Sequence, residues 1–237
     1  MIAFATSENL AELAASDVIF SDGTFYTCPT IFYQIYGIHV QIEGIMTPVA
    51  YVLLPGKSQA IYNRFFTLLQ EHMANLQIPF RPTTAFVDFE VAAHNAIRSV
   101  VHGINIKSCF FHYTQCILRK AKSTGLQTLY CENDDVKLLV HRAAVLPLTP
   151  FDRIEDVWFQ TLEDADTADI PHPVLLFTDY VTEQWVEGDR PTWNHFSTEG
   201  LRTTNHLEAW HGKLRKEYCM PIPTSTPSSR RLRTCRT

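Results

Sequence analysis

Asp22, Asp88 and Glu208 lie far apart in the chain, yet each stands where a sheet edge or a helix flank could deliver a carboxylate to a shared point. Asp22 closes Asp17-Val-Ile-Phe-Ser-Asp22, an apolar run ending in an acid and followed by Gly23, which opens space beside it. Asp88 closes Thr84-Ala-Phe-Val-Asp88 in the same way, and Glu208 lies in Thr203-Thr-Asn-His-Leu-Glu208-Ala-Trp-His211, which reads as a capped helix start. Two carboxylates about 4 Å apart repel by roughly 1 kcal/mol in water and about 4 kcal/mol at an effective dielectric near 20, so three together need a cation. Hard oxygen donors select Mg²⁺ or Mn²⁺, and two such ions activate an attacking oxygen and stabilise a leaving one in phosphoryl transfer. Taken singly, each acid is equally readable as a turn, cap or first-turn residue.

The elements that would position these acids follow from apolar periodicity. Runs over 17–27, 31–43 and 45–54, with turn chemistry at Cys28-Pro29 and Glu43-Gly44, predict three neighbouring antiparallel strands. Ser58 caps a predicted helix with Ile61, Phe65, Leu68, Leu69, Met73 and Leu76 on one face, ended by Pro79 and Pro82. A strand to Asp88, a helix over Val91 to Val101 and a fifth strand over Ile104 to Phe111 complete a mixed α/β core. On the last helix Leu207, Trp210, Leu214 and Tyr218 form the apolar stripe. Glu208 sits on its flank, about 80 to 100° from the centre at about 100° per residue.

The core is expected over 1–125 and 201–220, separated by an α-helical insertion over 126–200 that Pro147, Pro150, Pro171 and Pro173 break into fragments. Trp158, Trp185 and Trp193 are its expected packing anchors. Residues 221–237 read as a disordered basic tail with Arg230, Arg231, Arg233 and Arg236. A chain of 237 residues with 46 % hydrophobic content can bury a full core. No apolar run reaches the roughly 20 residues of a membrane span, and Met1 to Ser16 lacks a signal-peptide pattern. Six scattered cysteines do not demand disulfides, so reduced thiols in nucleus or cytosol are expected. The net charge of −5 argues against a polyanionic partner until its distribution is seen: 152–169 holds seven acids and one arginine, which leaves the remainder near neutral.

Around the acids the chain resembles the catalytic domain of Mutator-like (MULE) transposases. The resemblance is carried in order by Asp22-Gly-Thr-Phe, Cys28-Pro-Thr-Ile-Phe-Tyr-Gln-Ile-Tyr36 with Ile38-His39, and Val52-Leu-Leu-Pro-Gly-Lys57 with Tyr62-Asn63. It continues through Asp88-Phe-Glu-Val-Ala-Ala93, Cys109-Phe-Phe-His112-Tyr-Thr-Gln115 and Asn205-His-Leu-Glu208-Ala-Trp-His211. It implies a ribonuclease-H-like fold, a mixed five-stranded sheet flanked by helices, with an α-helical insertion before the last catalytic helix. It also implies a DDE triad of Asp22, Asp88 and Glu208 holding two Mg²⁺ or Mn²⁺ ions, DNA as partner, a homodimer, no small-molecule cofactor, and a nuclear location (cytoplasmic for an inactive fragment). The expected activity is metal-dependent DNA strand cleavage and strand transfer. The alternative is a truncated or domesticated non-catalytic relic that binds DNA or protein, suggested by the absence here of an amino-terminal recognition module; a plain nuclease is a third reading. Cys109, His112 and Cys116 are spaced C-x2-H-x3-C, but three ligands do not close a structural zinc site without Cys131 or His211 folding back, so zinc is not expected. Cys109, His112 and His211 are accessory candidates beside the acids.

Overall fold

The computed structural model describes residues 1–25, 27–164, 171–205, 207, 210 and 212. Six strands form one mixed sheet: β1 (Ile2–Phe4), β2 (Val18–Thr24), β3 (Gln34–Ile42), β4 (Ile45–Leu54), β5 (Thr84–Val87) and β6 (Asn105–Ser108), in the spatial order β1-β4-β3-β2-β5-β6. The three expected antiparallel neighbours are β2, β3 and β4, and β3 turns into β4 through Glu43 at φ 49° and Gly44 at φ 82°, the left-handed pair that a two-residue hairpin requires. Across the other side of β2 the pairing becomes parallel, first to β5 and then to β6. The expectation of five strands is corrected to six. β1 adds antiparallel to the free edge of β4, and three residues are too few to announce a strand by alternation.

Strand alternation divides the sheet's two faces between different partners. One face presents Ile19, Ile38, Val52, Ala85 and Val87 to α1 (Ser7–Ala15), α2 (Gln59–Asn75) and α3 (Val91–Val100), whose Leu10, Leu13, Tyr62, Phe65, Phe66, Met73, Ala93 and Ile97 close the main core. The buried stripe of α2 is rotated from the expected one: Tyr62 and Phe66 are inside, while Leu68 and Leu76 are exposed. Nor do the prolines stop this helix. It ends at Asn75, and Gln77 turns the chain at φ 61° before Pro79 is reached. The fifth expected strand is also shorter, because Phe110 and Phe111 open α4 (Phe110–Ser123) rather than extend β6, which ends at Ser108.

Beyond α4 the described chain is helical: α5 (Gln127–Glu132), α6 (Asp134–Val145), α7 (Ile154–Asp164), α8 (His172–Val181), a π turn over Thr182–Val186 and α9 (Arg190–Trp193). Pro147 lies in a 3-10 turn after α6, and Pro171 and Pro173 sit at the start of α8, where a missing N–H costs least. The three tryptophans expected as anchors are buried in a second core that they share with Tyr113 and Ile117 of α4. Trp158 Nε1 donates to Thr182 Oγ1 at 2.8 Å, and the Tyr113 ring lies 4.6 Å from that of Trp185 and 5.4 Å from that of Trp193. Of the acid-rich segment, Glu155, Asp156 and Asp164 pair with Arg190, Arg153 and Arg142. Among the described residues no helix is long and apolar enough to cross a membrane. Cys28, Cys109, Cys116 and Cys131 are free thiols. The tail over 221–237 lies outside the described residues.

Candidate active site

Parallel pairing sets the register of the first two acids. Val18, Ile19 and Phe20 of β2 lie opposite Thr84, Ala85 and Phe86 of β5, and two residues further along each strand comes Asp22 or Asp88. A period of two puts Asp22 on the same face as Phe20, whose ring stacks on Phe86 at 5.1 Å. This is the face turned away from the main core. Across β3 the residue opposite Asp22 is Gly37, and opposite Gly37 is Tyr51; the space a Gly37 side chain would fill is taken by the His39 ring, 2.7 Å from where its Cβ would stand. The sequence-predicted convergence of Asp22 and Asp88 at one end of adjacent strands is thus present.

The two carboxylates are held by their own local backbone. Gly23 N–H donates to Asp22 Oδ1 at 2.7 Å, and Glu90 N–H donates to Asp88 Oδ1 at 3.1 Å. His94 Nε2 lies 2.6 Å from the Asp88 carbonyl oxygen, and burial pushes the imidazole pKa down, which favours a neutral ring donating that hydrogen bond. On the far side of Gly23 a second chain of contacts runs from Gln34 Nε2 to Tyr62 Oη at 2.6 Å and from Tyr62 Oη to Glu90 Oε2 at 2.9 Å. A Cβ on Gly23 would fall 2.4 Å from Gln34 Oε1, so Gly23→Ala must push the amide off its partner. The expected cost is about 1–2 kcal/mol, read as a lower urea midpoint, with the loss reduced when Gln34→Ala removes the obstruction. Wild-type stability in Gly23→Ala would show that Gln34 yields without cost.

Charge at this edge is unbalanced. Burial, followed by the negative charge of Asp88, pushes the Asp22 carboxyl up to about 7, against the opposing pull of His112 and the Gly23 N–H. Burial alone would lower the His112 imidazole, but the Cys109 sulfur and the charges of Asp22 and Asp88 raise it to about 9. Burial alone would raise the Cys109 thiol, but His112 and Thr204 bring it down to about 6. Cys109 and His112 therefore each favour the other's charged form beside the acids. Among the described residues His112 Nδ1 meets no partner at strict hydrogen-bonding geometry, while hydrogen bonding and charge from the Cys109 side chain both raise the imidazole.

The chain returns to this face at its carboxyl-terminal end. Asn205, Leu207, Trp210 and Gly212 are helical. Leu207 is fully buried against Phe20 and Phe86, and the Trp210 ring meets His39 edge-on at 5.0 Å and lies 6.1 Å from the Tyr51 ring. The other two expected site residues, Glu208 and His211, lie outside the described residues. Among the described residues no group of three or more His, Cys, Asp or Glu side chains is arranged to hold a metal ion, and Cys109, His112 and Cys116 do not form one. Residues to which sequence reasoning gave no role at the site are Gln34, Tyr62, His94 and Thr204. The spacing Asp88-x-Glu90-x3-His94, which returns a helical histidine to the strand end, was the available signal for one of them.

The MULE transposase domain family model matches residues 18–116, from β2 into α4. That span contains Asp22, Asp88, Cys109 and His112, and it bears out the resemblance read from the ordered motifs. The match suggests a transposase-related function, for which DNA is the implied partner. A comparison with curated proteins found no match.

Proposed function

We propose that this chain is the DDE catalytic core of a Mutator-like transposase, cutting and joining DNA strands with divalent metal ions. The observation that carries the reading is the pair Asp22 and Asp88 at the same end of adjacent parallel strands, where the burial of Asp22 and, after it, the charge of Asp88 push the Asp22 carboxyl up to about 7. The pair's donors are hard oxygens, which fit Mg²⁺ or Mn²⁺. The strand order supports a ribonuclease-H-like arrangement: three antiparallel strands followed by two parallel ones, with an acid at the end of central β2 and another after neighbouring β5. β1 is then an addition to the edge.

Asp22, Asp88 and Glu208 would hold the ions, which when bound supply Lewis-acid stabilisation of the oxygens that attack and leave phosphorus. The chain's own part is positioning. The Gly23 and Glu90 N–H groups aim one carboxylate oxygen each, His94 fixes the backbone at Asp88, and the Gln34–Tyr62–Glu90 chain braces the strand ends from behind. A non-catalytic binding module would leave the burial of Asp22 beside a second acid, which costs stability, without a role. Nuclear location and action as a homodimer belong to this proposal.

The test uses the whole chain, a 3′-labelled duplex and a supercoiled plasmid in millimolar Mn²⁺. Cleavage and joining of the labelled end, both lost in Asp22→Ala, are expected. Cleavage without joining would convert the reading to a nuclease. No cleavage, with Mn²⁺-dependent stabilisation intact, would overturn catalysis altogether.

A further inference from the structure

We propose that the Cys109 sulfur is the post that docks the start of the last helix against the strand carrying Asp88, which makes Cys109 a positioning residue for Glu208. The proposal rests on the catalytic reading above for its consequence, though not for its geometry. Cys109 is fully buried between β6 and α4. Its N–H donates to the carbonyl of Val87, the residue before Asp88, at 2.8 Å. Its Sγ accepts the N–H of Thr204 at 3.2 Å and lies 3.7 Å from Thr203 Oγ1. One residue thus joins the Asp88 strand end to the chain four residues before Glu208.

The neighbouring contacts make this a docked segment rather than a single touch. Phe110 N–H donates to the Arg202 carbonyl at 2.9 Å, so 202–204 run alongside 109–110. Thr203 Oγ1 then accepts the Asn205 N–H at 3.0 Å, and Leu207 N–H donates to the Thr204 carbonyl at 2.8 Å, which starts the helical turn. One residue earlier His195 Nε2 lies 2.7 Å from the Ser108 carbonyl oxygen. Thr204 is 1 % exposed and Leu207 0 %, so water has little access to the Thr204 N–H if the sulfur is removed. Alanine at 109 leaves that donor buried without its acceptor; serine restores an acceptor at shorter reach. The His112 imidazole next to the sulfur favours the thiolate, the stronger acceptor.

The experiment compares Cys109→Ala and Cys109→Ser with wild type by amide hydrogen exchange and by strand cleavage in Mn²⁺. In Cys109→Ala the amides of Thr204 and Leu207 are expected to exchange roughly tenfold faster while those of β2 and β5 keep their protection. Cleavage should fall about tenfold or more in kcat with KM for DNA unchanged, and Cys109→Ser should recover both readouts. Unchanged exchange at Thr204 and Leu207 in Cys109→Ala, or equal damage in both variants, would overturn the anchor. Faster exchange with undiminished cleavage would overturn the positioning role. A wild-type chain that does not cleave would sink the catalytic reading, while the exchange arm would still decide the anchor.

Discussion

Asp22→Asn is expected to make the metal-free protein more stable at pH 8 while strand cleavage falls by about a thousandfold, roughly 4 kcal/mol of transition-state stabilisation. The stability half of this result follows from linkage. Asp22 ionises near 3.8 in an unfolded chain and at about 7 in the fold, burial being the larger cause and Asp88 the next. Between those values the folded protein keeps a proton that the unfolded chain has released, so stability falls as pH rises through that window and the full penalty is present above 7. About 3 pH units set an upper bound of about 4 kcal/mol. Asparagine cannot ionise, and its Oδ1 still accepts the Gly23 N–H. The melting temperature of Asp22→Asn should therefore exceed that of wild type by roughly 5–10 °C at pH 8 and converge with it below about pH 4, allowing about 2–4 °C per kcal/mol for a chain of this size. Millimolar Mn²⁺ should raise wild type and leave the variant where it was. A variant no more stable than wild type at pH 8 would show that Asp22 is not held against its own charge.

What the sequence disclosed of this arrangement was set by period and spacing. Short apolar runs lead to Asp22 within β2 and to Asp88 just after β5, so the strands and their acids could be read directly, and their parallel register follows once they are neighbours. β1 could not be read, because three residues show no alternation. The end of β6 was misplaced for a related reason: Phe110 and Phe111 are as apolar as a strand, and only tertiary packing decides that they begin α4. The stripe of α2 slipped because Tyr62 and Phe66 compete with Leu68 and Leu76 for the core, and the aromatic pair wins by packing against Tyr36, with ring centroids 5.0 and 6.3 Å away. The carboxylate supports were hidden for another reason. Gln34, Tyr62 and Glu90 come from three elements whose meeting depends on the fold, and no local pattern in the chain encodes it.

Asp88→Asn should also reduce cleavage by about a thousandfold, and the informative result is its combination with Asp22→Asn. Asp88 raises the Asp22 carboxyl by repulsion, so removing its charge should bring the Asp22 titration down toward, though not to, the ordinary value, since burial is the larger cause and remains. His112 loses one of the anions that keep it protonated. In thermal melts the pH window over which stability declines should shift downward in Asp88→Asn, by about one unit, the order of a single nearby charge. If both carboxylates act through one shared centre, the double variant should cleave no more slowly than either single variant, because the first substitution already removes what the second would disable. The measurement is single-turnover cleavage for the four members of the cycle, with Tm recorded for each to confirm folding. Losses that multiply, toward a millionfold, would mean that Asp22 and Asp88 serve separate steps, and the common site at the end of β2 and β5 would have to be abandoned.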